Sequence, residues 1–271
     1  QQAESQIQVD AETATVQLKQ MARELGAVDV GVARLHPGFL YMHVGRGPGG
    51  YGSPIKLDHK WVIVFAVEMD AETMRQAPNM PVVVESSKQY LNAANIAVAL
   101  AVFMRNLGYP ARAHTDANYR LMVPAAAHAA GLGEVGRIGY LIHPRYGARI
   151  RLGAVTTNLP LVPDPATSVG VQDFCRICKK CAQACPAAAI SHGSEKSVRG
   201  VHKWSTNQEA CYTLWRRFGT DCGICMHVCP YSRPATASHN VIRRVIQRNA
   251  ITRRFAVWAD RMLYPQSPGR I

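Results

Sequence analysis

The sequence predicts an α+β protein: a mixed helix-and-sheet domain over residues 1–167, a small cysteine-built module over 168–234 and a basic tail over 235–271. Three observations carry this. Apolar runs of strand length alternate with segments of helical periodicity as far as Pro165. All eight cysteines then fall between Cys175 and Cys229, so the composition changes abruptly near Ser168. Beyond Pro234 the pattern turns helical and rich in arginine.

Each element has its own signal. From Thr13 to Leu25 the apolar residues recur at helical spacing and stop at Gly26, a residue that readily ends a helix. Val28 to Leu35 reads as a strand, and Pro37 to Pro54, rich in glycine and aromatic residues, as a long loop. Trp61 to Val67 is an unbroken apolar run of strand length, as expected where both faces of a strand are covered. Helical spacing returns from Ser86 to Leu107 and ends at Gly108-Tyr109-Pro110. Strand-like stretches follow at Leu141-Ile142 and Val155 to Leu159, and the tail finishes in an aromatic end from Trp258 to Tyr264.

A chain of 271 residues that is 48% hydrophobic can bury a substantial core without cross-links. The longest apolar run, near Ile96 to Met104, is sized for a core helix and falls short of a membrane span. The sequence opens on Gln1 with neither a secretory hydrophobic stretch nor a twin-arginine run. The expectation is an exported, peripherally membrane-associated protein if a signal has been removed, and a cytoplasmic one otherwise. Lys and Arg number 31 against 18 Asp and Glu, a formal net charge of +13, with the excess concentrated from Arg137 to Arg151 and from Arg233 to Arg254. Such a balance favours cofactor phosphates, an anionic membrane surface or RNA as partners; the plainer reading is a solvated basic face.

The cysteines form two motifs, Cys175-x2-Cys178-x2-Cys181-x3-Cys185-Pro186 and Cys211-x10-Cys222-x2-Cys225-x3-Cys229-Pro230. A cubane 4Fe-4S cluster needs four thiolates from different directions. A C-x2-C-x2-C turn wraps three around one cluster, while the cysteine before proline reaches the other. This assigns Cys175, Cys178, Cys181 and Cys229 to one cluster, and Cys185, Cys211, Cys222 and Cys225 to the second, in a ferredoxin-like module. The long gap after Cys211 makes it the least typical ligand. Disulfides do not suit a chain of this size with cysteines so tightly clustered, and two zinc sites give no role to the repeated C-x3-C-P ending.

Two clusters form a wire, so a second redox centre is expected in the preceding domain, which holds no cysteine. Its one G-x-G-x-x-G, Gly131-Leu-Gly133-Glu-Val-Gly136, runs into strand-like residues instead of opening a helix, which argues against a dinucleotide site. With Arg137 it has the form of a glycine-rich loop where backbone approaches a flat or phosphorylated ligand; a helix-ending turn is the alternative. The ten histidines show no paired metal-ligand spacing.

The segment from Asp173 to Pro186, with Cys211 to Pro230, resembles the iron–sulfur region of corrinoid-dependent reductive dehalogenases. The likeness extends to Tyr90, Leu107-Gly-Tyr109, Val123-Pro124, Gly131 to Arg137, Tyr146-Gly-Ala-Arg149 and Asn158-Leu-Pro-Leu161, and spans Leu18 to Tyr264. The resemblance implies a nitroreductase-like domain holding cobalamin or another cobamide in its base-off form, fed by two 4Fe-4S clusters. Co(II) reduced to Co(I) would remove halide from an organohalide while an acid supplies a proton. It further implies that Tyr90 is the proton donor, Arg149 the cation that stabilises its phenolate, and Asn118 an amide that orients the pocket. Corrinoid contacts fall on Gly131, Gly133, Gly136, Arg137, Leu141, Ile142 and His143; His114 also lies in a family-like segment. The partners implied are an organohalide, a low-potential electron donor and a membrane anchor subunit, with no DNA; oligomeric state is left open. Members of the family are commonly longer, so a minimal or truncated form is expected here. Two rivals are an epoxyqueuosine reductase-like enzyme acting on tRNA, and an electron carrier that binds a corrinoid without catalysis.

Overall fold

The computed structural model describes residues 3–46, 50–198, 201–219 and 221–264. The chain runs α1 (Ala11–Glu24), β1 (Asp29–Arg34), β2 (Trp61–Glu68), α2 (Ala71–Met74), α3 (Met80–Asn106), β3 (Ala111–His114), α4 (Val123–Ala129), β4 (Glu134–Val135), β5 (Leu141–Ile142) and β6 (Ile150–Thr157). It continues as α5 (Val171–Cys178), α6 (Lys180–Gln183), β7 (Lys196–Val198), β8 (Val201–Lys203), α7 (Gln208–Phe218), α8 (Ile224–His227), α9 (Ala237–Arg248) and α10 (Ala250–Leu263). Two compact units result: residues 1–68, 87–132 and 151–167, and residues 69–86, 133–150 and 168–271. The division at 167/168 coincides with the change in composition, yet two earlier stretches, 69–86 and 133–150, belong to the second unit.

The first unit is built on a four-stranded sheet in the order β1-β2-β6-β3, with β1 antiparallel to β2 and β3 antiparallel to β6. Strand β2 is central and buried from Val62 to Val67, which explains its unbroken apolar sequence. Helix α1 starts where the Asp10 carboxylate accepts the Thr13 N–H at 2.8 Å, and turns Ala14, Leu18 and Ala22 inward at four-residue intervals. Ile96, Leu100 and Met104 of α3 meet Ile63, Phe65 and Val155 in the same core. Each fully buried Leu or Ile there contributes about 1.5–3 kcal/mol. Gly153 of β6 lies under Phe65, where a Cβ would come within 2.3 Å of the ring. The stretch expected as a loop carries one short turn, Pro37–Phe39, and isolated bridges from Leu40 to Leu121 and His43 to Pro54; residues 47–49 lie outside the described residues.

The second unit has little sheet, a β4–β5 hairpin and a β7–β8 hairpin, and a core of Met69, Val82, Ile142, Phe174, Tyr231 and Val257 with the cysteines packed against it. Buried Glu134 of β4 accepts the N–H groups of Val169 and Val171 at 3.0 and 2.7 Å, placing a carboxylate at the start of α5. Helix α10 is tied down by Asp260, which pairs with buried Lys180 and with Arg233 Nε at 3.1 Å. Arg261 donates to the Cys178 carbonyl at 3.1 Å. No helix among the described residues is long and apolar enough to cross a membrane.

Candidate functional site

The cysteine turns are made by residues in left-handed backbone. Helix α5 starts behind Gly170 (φ 74°) and delivers Cys175 and Cys178; Lys179 (φ 57°) then breaks the helix, so α6 brings Cys181 from a new direction. Without that break the three thiols would climb one helix face. Cys222 (φ 56°) and Gly223 (φ 72°) make the equivalent turn before Cys225 in α8. Cys211 sits in α7, and Cys229 caps the short turn Pro230–Ser232. None of the eight is in a disulfide.

Charge interactions sort the thiols. Cys175 feels Cys229, Cys181 and Cys178, whereas Cys225 feels Cys222, Cys185 and Cys211. Cys211 in turn feels Cys185 and Cys222. These couplings group Cys175, Cys178, Cys181 and Cys229, and separately Cys185, Cys211, Cys222 and Cys225, with Cys181 also feeling Cys225 across the two sets. Burial, reinforced by neighbouring thiolates, pushes these thiols up: Cys178 to about 12, and Cys175, Cys181 and Cys225 well up as well. Metal binding must therefore displace protons that burial favours. A donor already faces one sulfur: the Ala189 N–H reaches Cys185 Sγ at 3.3 Å. A cubane takes one thiolate at each of four irons, which suits two sets of four cysteines.

The glycine-rich segment is used in packing. Gly131 (φ 81°) ends α4, its N–H donating to the His128 carbonyl at 3.1 Å. A Cβ on Gly133 would meet the Ile142 carbonyl oxygen at 2.3 Å, and one on Gly136 would meet Ile142 Cγ1 at 2.7 Å and Cys175 Sγ at 3.4 Å. Leu141 and Ile142 are buried in β5. His143 is buried too, its Nδ1 accepting the N–H groups of Arg145 and Tyr146 at 3.1 and 3.3 Å. Arg137, expected as a corrinoid contact, makes a dense set of contacts within the cysteine unit. Its guanidinium donates to the Cys175 carbonyl at 3.0 and 3.1 Å and to Ser191 and Gly193 carbonyls at 2.7 and 2.9 Å, beneath the Trp204 ring. It braces the cysteine module.

In the first unit, Tyr90 lies on α3 and is 37% exposed. The guanidinium on its ring belongs to Arg151, 4.9 Å from the centroid. The residue expected in this role, Arg149, lies two positions earlier in the sequence. Arg149 is buried in the second unit, donating from Nε to the Ser232 carbonyl at 2.6 Å and from Nη1 to the Met69 carbonyl at 2.5 Å. Sequence reasoning missed Arg151 because it started the strand at Val155; a start at Ile150 would have put Arg151 in the ladder. Arg46 lies within electrostatic range of Tyr90 and donates to the Tyr119 hydroxyl at 3.4 Å. Asn118 Oδ1 accepts from Arg112 Nη2 at 2.8 Å, so this amide orients an arginine. His114 is held down to about 3 by burial and then by Arg112. Its Nδ1 accepts the Arg120 N–H at 3.2 Å and its Nε2 lies 2.9 Å from Thr156 Oγ1, which makes it a neutral strut of the sheet.

Two quartets of buried thiols, with a phenol under a guanidinium in a separate sheet unit, define an iron–sulfur redox protein. Comparisons with known proteins carry this further. Residues 174–232 match the 4Fe-4S dicluster domain and residues 37–161 the reductive dehalogenase subunit. The tetrachloroethene reductive dehalogenase of Desulfitobacterium hafniense is 40% identical over 199 residues, covering 69% of this chain and 36% of the relative. That of Sulfurospirillum multivorans is 31% identical over 263 residues, covering 84% and 52%. A solved reductive dehalogenase described as suggesting a mechanism for B12-dependent dehalogenation superposes with a TM-score of 0.88 at 30% identity, covering 96% of this chain and 38% of that one. The chain belongs to the reductive dehalogenase family and carries its 4Fe-4S dicluster domain. It spans roughly a third to a half of the length of these relatives. Epoxyqueuosine reductase structures are more distant, at 17% identity and a TM-score of 0.56, and share the fold alone.

Proposed function

We propose that this chain is the catalytic core of a cobamide-dependent reductive dehalogenase, with a nitroreductase-like corrinoid-binding unit and two 4Fe-4S clusters that relay electrons to it. The observation that carries the reading is a partly exposed tyrosine, Tyr90, under the Arg151 guanidinium, in a chain that also holds eight clustered thiols. When bound, a cobamide supplies low-potential cobalt chemistry that takes halide from carbon. The chain's own part is to hold the clusters, admit an organohalide and deliver a proton. Tyr90 donates that proton from its hydroxyl, and Arg151 stabilises the phenolate left behind. A low-potential donor, and a membrane anchor subunit where the enzyme works at a membrane, complete the electron path. Support for a halogenated ligand comes from a related catabolic reductive dehalogenase solved with 3-bromo-4-hydroxybenzoic acid, 31% identical over 94% of this chain.

The test is anaerobic reconstitution with iron, sulfide and cobalamin, followed by halide-release assays on haloalkenes and halophenols. Halide release is expected, with Tyr90→Phe lowering it by about 10²-fold or more while iron and corrinoid contents hold. Near-normal turnover in Tyr90→Phe would refute the assignment of the acid.

A further inference from the structure

Tyr231 follows the Cys229-Pro230 turn and is 1% exposed. Its ring stands edge-on to Phe174, centroids 5.1 Å apart, and Phe174 precedes Cys175 in sequence. Its carbonyl accepts from Arg243 Nε at 3.2 Å, and Gly147 packs so closely on its backbone that a Cβ there would come within 2.3 Å. The side chain is thus fixed in place from both ends. Its hydroxyl, however, is buried and finds no hydrogen-bond acceptor among the described residues. A buried phenol without an acceptor costs free energy comparable to a lost hydrogen bond, which favours a ligand atom as its partner. Tyr231 lies two residues beyond Cys229 and its ring partner Phe174 is adjacent to Cys175, so both partners in this ring contact lie beside cysteines of the same quartet.

We propose that the Tyr231 hydroxyl donates an O–H···S hydrogen bond to the 4Fe-4S cluster held by Cys175, Cys178, Cys181 and Cys229, and that it sets that cluster's potential above what the thiolates alone would give. The inference rests on the two-cluster reading and is independent of the substrate. Hydrogen bonds to cluster sulfur stabilise the more negative, reduced state and so raise the potential. Tyr231 is then a positioning and tuning residue that touches neither substrate nor proton.

The experiment is an EPR-monitored redox titration of the reconstituted full chain and of Tyr231→Phe, which keeps the ring against Phe174 and deletes only the hydroxyl. The expected result is that one of the two cluster midpoints moves negative. The reduced-to-oxidised ratio at a fixed poise should change about tenfold, a shift of about 59 mV for one electron. The other midpoint, from the Cys185 quartet, stays in place as an internal reference. Two unmoved midpoints, or equal movement of both, would overturn the proposal. If Tyr231→Phe does not assemble its clusters, hydroxyl-deuterated wild-type protein decides the matter: a deuteron coupled to one reduced cluster in pulsed EPR is expected, and its absence rejects the bond. A wild-type chain with no cluster signal would instead refute the two-cluster reading itself.

Discussion

Arg151, to which we assign the phenolate-stabilising role beside Tyr90, has a near neighbour in a quite different setting. Arg149 and Arg151 are two positions apart, both charged, and both within a basic stretch. Strand β6 begins at Ile150, so Arg149 sits ahead of the ladder among backbone carbonyls while Arg151 comes over the phenol. No spacing rule distinguishes them, because the choice depends on where the strand starts. The roles predict opposite phenotypes. Arg151→Gln should lower halide release by roughly tenfold or more with melting temperature and iron content held, since a phenolate-stabilising charge is lost. Arg149→Gln should lower stability by about 1–3 kcal/mol, since buried carbonyls lose charged donors. Halide assays and melting curves on the two variants check this, and the reverse pattern would return the role to Arg149.

At the scale of elements, periodic segments were legible and punctuated ones were not. Trp61 to Val67 could be read as a buried strand because nothing interrupts it. Helix α3 starts six residues before the Ser86 expected, at Met80-Pro81-Val82. Proline suits the first turn of a helix, and burial of Val82 overrides the weak helix preference of the valines that follow. The C-x2-C-x2-C spacing made the dicluster module legible, whereas the glycine segment before it was ambiguous because a ligand loop and a close-packed hairpin both require glycine. The packing role makes a prediction. Gly136→Ala forces a Cβ to 2.7 Å from Ile142 Cγ1, so the Ile142 side chain in the hairpin must shift, while Cys175 Sγ at 3.4 Å stays in ordinary contact. A loss of about 1–3 kcal/mol is expected, with iron content held. Gly45→Ala, which meets nothing within 4 Å, serves as the control. Melting curves and iron analysis measure both, and equal melting of the two variants would contradict the packing role.

For the molecule as a whole, the chemistry is divided between two units that interleave along the chain. The phenol and its guanidinium belong to one, and all eight thiols to the other. That division was only half legible, because residues 69–86 and 133–150 join the cysteine unit across long stretches of sequence. The basic excess also changes meaning. Arg137, Arg149 and Arg243, all within the most basic stretches, are at most 3% exposed and donate to backbone carbonyls. Part of the positive charge therefore holds the cysteine unit together, which reduces the share left for an anionic partner. The proposed function requires one redox path from two clusters to a cobamide, and metal analysis with EPR on the anaerobically reconstituted chain tests it most directly. About eight iron, eight sulfide and one cobalt per chain are expected, with two cluster signals on reduction. A colourless protein that holds zinc, or a two-cluster protein that binds no cobamide, would contradict it.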